Sequence, residues 1–187
     1  MALNSLTNRL RLIAVFPQLD KDPHFEILSP ENPNYNCIAW AMGLDDRRMD
    51  PTAIGPQYDW PKNLPILCPD ALHPDNLIKA FMAKGFVITQ DFLYEEGCEK
   101  VFLYKHPKQQ IFLHASKLIA NGVEYSKFGE SFDGTHSSRT LTSFYGVVYA
   151  CMKRKVNTIP EEPKDVIVIN QQNKKNMIDL LKQKGLI

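Results

Sequence analysis

Glycine is scarce in this chain, with 9 in 187 residues, so a collagen-like or Gly-rich linker composition is excluded. Long hydrophobic runs are absent too. The longest near the start is Leu12 to Phe16, and Pro17 ends it. That is too short for the core of a signal peptide and far too short to span a bilayer. Charge of one sign is missing: 22 basic against 21 acidic side chains leave a net charge of +1. Such a balance gives no case for a nucleic-acid or membrane partner. The pairs Arg47-Arg48 and Lys174-Lys175 are too short to make a nucleic-acid surface. Four cysteines, Cys37, Cys68, Cys98 and Cys151, share no CxxC and no close Cys/His spacing, so free thiols are expected and a metal site is not. His24, His73 and His106 neighbour prolines without ligand spacing, and no cofactor motif occurs. The expectation is a protein that is cytoplasmic as made, exported if at all by a specialised system that needs no signal peptide.

What is present is a chain of globular composition, 44% hydrophobic, of a length suited to one domain with an appendage. Ten of its thirteen prolines fall between Pro17 and Pro74, which predicts a loop-rich half with short helices. The turn-forming stretch Ser29 to Asn36 gives way to Cys37-Ile38-Ala39-Trp40-Ala41-Met42 and then Gly43. With Asn36 as N-cap and Gly43 as stop, this reads as a short helix, apolar on every side and therefore buried. A polar, proline-rich loop, 45–69, follows it. A second helix is predicted after Pro74, with Leu77, Ile78, Phe81 and Met82 on one face and Gly85 at its end. From Phe86 the period changes to two, predicting strands at 86–88, 101–105, 110–120, 123–128 and 146–152. Asn121-Gly122 marks a tight hairpin, and 129–139 reads as a polar loop. The expected fold is α+β: short N-terminal helices packed on an antiparallel sheet of about five strands. Residues 1–154 form the expected domain. Residues 155–187 read as a linker with Pro160 and Pro163, a short strand at 166–169 and a terminal helix packing back on the body.

Cys37 is the residue with the most chemical promise. At a helix start, unpaired N–H groups and the dipole favour a thiolate, predicting a depressed pKa and a nucleophile. The competing reading is a small buried hydrophobe. His114 lies in the strand 110–120, with Phe112, Leu118 and Ala120 expected on its own inward face. A core histidine bonded to a carbonyl would look the same there, but a helix-start cysteine followed by an inward strand histidine is a more specific combination than either. Trp60 reads as a loop anchor rather than a cleft wall, and Cys68, Cys98 and Cys151 as packing residues. His136 reads as an exposed loop histidine, with a second acid–base group as the alternative.

Several segments together resemble a known layout. They are Asn36-Cys37-Ile38-Ala39-Trp40-Ala41, Trp60-Pro61, His114-Ala115, Asn121-Gly122, Ser126-Lys127-Phe128-Gly129 and Tyr145-Gly146-Val147. The order of a helix-borne cysteine, a sheet-borne histidine and a polar residue on the next strand resembles the papain-like, NlpC-type cysteine peptidases and amidases. The Asn-Cys-x-x-Trp-Ala start is similar to that of an uncharacterised bacterial domain family. The resemblance implies Cys37 as nucleophile, His114 as base and then acid, and Ser126 as the orienting third residue, with Glu130 and Asp133 as rivals. A strict two-residue hairpin would put Ser126 on the wrong face, so a β-bulge is required. The implied activity is cleavage of a peptide or protein amide through an acyl-enzyme, with the Cys37 N–H helping to hold the oxyanion. Deamidation and transamidation use the same machinery. An effector or toxin with an immunity or inhibitor protein as partner fits this reading. The alternative is a non-catalytic binding or inhibitory module that keeps the fold. The two readings separate on whether Cys37 and His114 lie together.

Overall fold

The computed structural model describes residues 3–53, 55–61 and 70–156. In chain order its elements are α1 (Leu6–Val15), a 3₁₀ turn (Pro17–Lys21), β1 (Glu26–Ser29), α2 (Cys37–Met42), β2 (Arg48–Met49), β3 (Tyr58–Asp59), α3 (Pro74–Ala83), β4 (Val87–Thr89), β5 (Cys98–Lys105), β6 (Phe112–Ala120), β7 (Val123–Lys127), β8 (Asp133–Ser137), α4 (Thr142–Tyr145) and β9 (Val147–Lys155). Seven strands form one sheet in the order β1-β8-β7-β6-β5-β9-β4, with every neighbouring pair antiparallel. The two-residue strands β2 and β3 pair separately and in parallel. The class is therefore mixed helix and sheet with a large antiparallel sheet.

Local chemistry sets the helix ends. Ser5 accepts the Asn8 N–H to open α1, and Pro17 follows directly on its last cap residue, Phe16. Asn36 caps α2 by accepting the Ala39 N–H at 3.0 Å. The same side chain exchanges bonds with the Met49 N–H and carbonyl, so the start of α2 is tied to β2. Gly43, at φ 90°, closes the helix in the left-handed conformation expected of it. Pro74 opens α3, and His73 Nδ1 accepts the Asp75 N–H.

Three apolar clusters hold the layers together. The largest packs α2 and α3 on one face of the sheet, through Ile38, Ala39, Met42, Leu77 and Phe81 against Val101, Leu103, Ala115, Ile119 and Met152. Fully burying a large apolar side chain stabilises the fold by about 1.5–3 kcal/mol. On the other face Phe102, Tyr104, Leu118 and Cys151 cluster with Tyr94, Tyr145 and Val148. A third cluster joins α1 and the 3₁₀ turn to Phe128, Phe132 and Leu141.

Two corrections concern the sheet. It has seven strands rather than about five, because β1 and β8 also join it. β8 occupies what reads as the polar loop 129–139: Asp133-Gly134-Thr135-His136-Ser137 has no apolar residue, yet its first four positions are buried. The other correction is the face carried by His114. β6 has an extra residue at each end, Leu113 between the Tyr104↔His114 and Lys105↔Phe112 pairs and Ile119 between Leu118↔Glu124 and Ala120↔Val123. Each bulge reverses the alternation. Phe112 and Ala120 therefore join the α2 core, whereas His114, Ser116 and Leu118 share the face of Phe102 and Tyr104. The strand at 166–169 and the terminal helix lie outside the described residues.

Between α4 and β9, Gly146 adopts φ 80° and ψ −146°, and a Cβ there would overlap the Lys105 carbonyl oxygen. Gly122 in the hairpin also has a positive φ, of 75°, but open space around it. Gly146→Ala should therefore destabilise the protein beyond the strain of about 1–3 kcal/mol that Gly122→Ala incurs alone. Urea unfolding of the two variants measures the difference, and equal losses would contradict this account of Gly146.

Candidate functional site

Cys37 is the first residue of α2 and is half-buried. Its sulfur is faced by the backbone N–H of Ala115, and by those of Ile38 and Cys37 itself. Ala115 lies two residues beyond Lys117↔Tyr125, the last pair of the β6–β7 register. The thiol thus takes an N–H from β6 where pairing with β7 has ended. Burial pushes the thiol above its ordinary value, outweighing those N–H groups and the Lys127 cation. The depressed pKa expected from the helix start is corrected accordingly: desolvation of the thiolate outweighs the N–H groups at the start of α2.

His114, Ser126 and His136 lie in a row on the opposite face, all fully buried. His114 Nε2 is 3.0 Å from Ser126 Oγ, and Ser126 Oγ is 2.8 Å from His136 Nε2. His136 Nδ1 is 2.9 Å from the Ser137 carbonyl oxygen. The required bulge is the one at Ile119, which brings Ser126 to the face of His114. Register explains the other contact: Ser126 pairs with Gly134 and Glu124 with His136, so Ser126 and His136 are diagonal neighbours. His136 is therefore corrected from an exposed loop residue to a buried strand residue. Sequence reasoning misses it because β8 has no hydrophobic alternation. Once β8 is paired with β7, period two alone puts it beside Ser126.

His114 Nδ1 is buried and has no hydrogen-bond partner among the described residues. The thiol and the imidazole are therefore not joined by a hydrogen bond. The Tyr145 ring stacks on His114 at 3.9 Å and 4° between planes. Burial and then the charge of the Cys37 thiolate both push its phenol up. Burial, with a smaller effect from His136, holds His114 well below the usual imidazole value.

The rival third residues are elsewhere. Glu130 is exposed and paired with Arg48. Asp133 is buried and accepts the Tyr35 hydroxyl at 2.5 Å, with Lys127 Nζ at 3.7 Å. Lys127 is buried beside them and also donates to the Ser131 carbonyl. Burial lowers its pKa, partly offset by Asp133 and by the Cys37 thiolate. Trp60 stacks over Phe112 at 6.5 Å, at the edge of the main core. Cys151 is buried and Cys98 half-buried, while Cys68 lies outside the described residues. Among the described residues, no group of three His, Cys, Asp or Glu side chains could hold a metal ion. No described helix is long and apolar enough to cross a membrane.

A family described as a domain of unknown function (DUF7689) matches residues 26–153. The chain belongs to that family. The DUF7689 match runs from β1 into β9 and includes Cys37, His114, Ser126 and His136. No curated protein and no solved structure matches the chain.

The electrostatics at Cys37 set a pH dependence. The folded protein holds the thiol proton to higher pH than the unfolded chain does, so stability falls as pH rises from the ordinary thiol value through the folded one. Iodoacetamide labelling of Cys37, followed by peptide mass spectrometry, should rise with a midpoint above that of an unfolded-chain control. A midpoint below the control would mean that the N–H groups and Lys127 outweigh burial.

Proposed function

We propose that the protein is a papain-like thiol hydrolase acting on an amide or peptide bond, with Cys37 as nucleophile and His114 as its base. The observation that carries this reading is His114 Nδ1, a buried imidazole nitrogen without a partner among the described residues. It belongs to the residue next to the N–H that faces the Cys37 sulfur. A buried polar atom left unpaired costs about 1–3 kcal/mol, and catalytic sites are where such a cost is commonly retained. The resemblance to NlpC-type enzymes points the same way: a cysteine helix packed on an antiparallel sheet, a histidine on one strand and a polar residue on the next.

The local charges favour a neutral resting pair. The raised thiol and lowered imidazole keep the proton on sulfur until a substrate arrives. Nδ1 then takes that proton as the sulfur attacks the carbonyl carbon, and the imidazolium returns it to the leaving amine. The thioester is cleaved by water, with Nδ1 again as base and the sulfur leaving as the thiol. Hydrogen bonds of this kind are often long in a free enzyme and tighten with substrate. The absence of a resting thiol–imidazole bond fits that sequence, as does general-base activation rather than a preformed ion pair.

A second reading, a binding or inhibitory module that keeps the fold, draws on the raised thiol and on Ser126 standing where a stronger hydrogen-bonding side chain is usual. The two readings separate on one reagent. A peptide vinyl sulfone should form a single adduct on Cys37, absent in Cys37→Ala and slowed about 100-fold or more in His114→Ala, the low end of a general base's contribution. Labelling of Cys37 that His114→Ala leaves unchanged would favour the module. Circular dichroism of both variants shows whether the fold is intact.

A further inference from the structure

The row of buried polar side chains on the His114 face has a direction, and that direction begins at a backbone carbonyl. The Ser137 carbonyl oxygen, 2.9 Å from His136 Nδ1, can only accept, so Nδ1 carries the proton. In the neutral ring this leaves His136 Nε2 as an acceptor. Its hydrogen-bonding neighbour is the Ser126 hydroxyl at 2.8 Å, which therefore donates. With its proton committed, Ser126 Oγ accepts from His114 Nε2 at 3.0 Å. His114 then carries its proton on Nε2 and a bare lone pair on Nδ1, the atom without a partner among the described residues. The opposite direction would put an N–H at that buried position, with no acceptor for it among the described residues.

The neighbouring polar groups do not compete for the row. Glu124 sits across from His136, but its Oε2 accepts from Tyr104 and Ser116, each at 2.5 Å, and its Oε1 accepts the Arg139 N–H at 3.0 Å. Tyr145 covers the His114 ring face rather than its edge.

We propose that His136 is a positioning residue: anchored by the Ser137 carbonyl, it acts through Ser126 to hold His114 in the tautomer whose free lone pair is on Nδ1. Its use in catalysis rests on the hydrolase reading, whereas the tautomer itself does not. Ser126 alone could either donate to His114 or accept from it, because a hydroxyl does both. His136 removes that choice.

Long-range ¹H–¹⁵N correlation spectra of ¹⁵N-histidine-labelled protein at neutral pH read the tautomers directly. The expected result is a proton on Nε2 of His114 and on Nδ1 of His136. A proton on Nδ1 of His114, or on Nε2 of His136, overturns the proposal with no variant needed. Ser126→Ala and His136→Phe should each release His114 from its single tautomer, and His136→Gln, which keeps an acceptor for the Ser126 hydroxyl, should retain it. A folded His136→Phe protein that still shows the single Nε2–H tautomer also overturns the proposal. Vinyl sulfone labelling of Cys37 should slow about tenfold in Ser126→Ala and in His136→Phe, a fraction of a full general-base effect. The double variant should be no slower, because both changes break one chain. The hydrolase reading fails separately, through labelling that does not depend on His114 while the tautomers are as expected.

Discussion

Ile119 has no partner in the β6–β7 register, and this one unpaired residue decides which side chains of the two strands meet. Without it Ser126 would share a face with Ala115 and Lys117, and its hydroxyl would lie against the α2 core. With it the polar residues of three strands fall on one side: His114 and Ser116 of β6, Glu124 and Ser126 of β7, His136 of β8. The bulge at Leu113 acts at the other end of β6. It returns Phe112 to the apolar core and turns Leu113 outward, where it is 37% exposed. Between the two bulges, His114 to Leu118 is a short stretch set to a different phase from the rest of its strand. Bulges are common next to sites because they re-aim side chains without a change of sequence pattern.

A row of buried polar groups is tolerable only if nearly every member is bonded, since each orphan carries its full desolvation cost. The sheet meets this condition through short local exchanges. Glu124 accepts three bonds, from two side chains and one backbone N–H. On the other side Asp133 and Lys127 are both buried, and Tyr35 donates to the carboxylate. Burial raises the Asp133 carboxyl and lowers the Lys127 amine, and the charge of each partner offsets only part of the other's shift. Other buried side-chain atoms, Asp133 Oδ1 and Trp40 Nε1 among them, also have no hydrogen-bond partner among the described residues. The His114 nitrogen differs from them in belonging to the strand whose Ala115 N–H faces the sulfur of Cys37.

Much of the architecture is legible in the chain. Asn36 and Gly43 mark α2, Pro74 and Gly85 bracket α3, and five strands follow from alternation and the Asn-Gly turn. What is not legible has a common physical cause. β8 is a buried strand without apolar residues, held by ladder and side-chain hydrogen bonds, so a hydrophobic period cannot reveal it. The phase of His114 escapes for a related reason: alternation counted along β6 crosses two bulges, and each reverses it. Ser126 is reached only through the resemblance to the peptidase pattern, with a bulge as the condition, and the structure contains that bulge. His136 has no such guide, because its contact depends on the pairing of β8. The direction of the thiol's shift is lost when a helix dipole is weighed without the desolvation that the surrounding core imposes.

Direction rather than charge is what this arrangement provides. A site that stored a thiolate–imidazolium pair would need to stabilise two buried ions, and here burial opposes both: the sulfur is pushed up and the ring is held down. The nearby cation, Lys127, is itself desolvated and already engaged by Asp133 and the Ser131 carbonyl. A third residue with a full negative charge would favour the ion pair, but Ser126 has only a dipole to offer. A dipole aimed by His136, as proposed above, would act differently, fixing which nitrogen of His114 is bare without adding a buried charge. A neutral base of fixed tautomer needs no rotation or tautomer exchange when the proton moves. On the proposed hydrolase reading, the barrier to forming the ion pair is confined to the step in which a substrate carbonyl accepts the new charge.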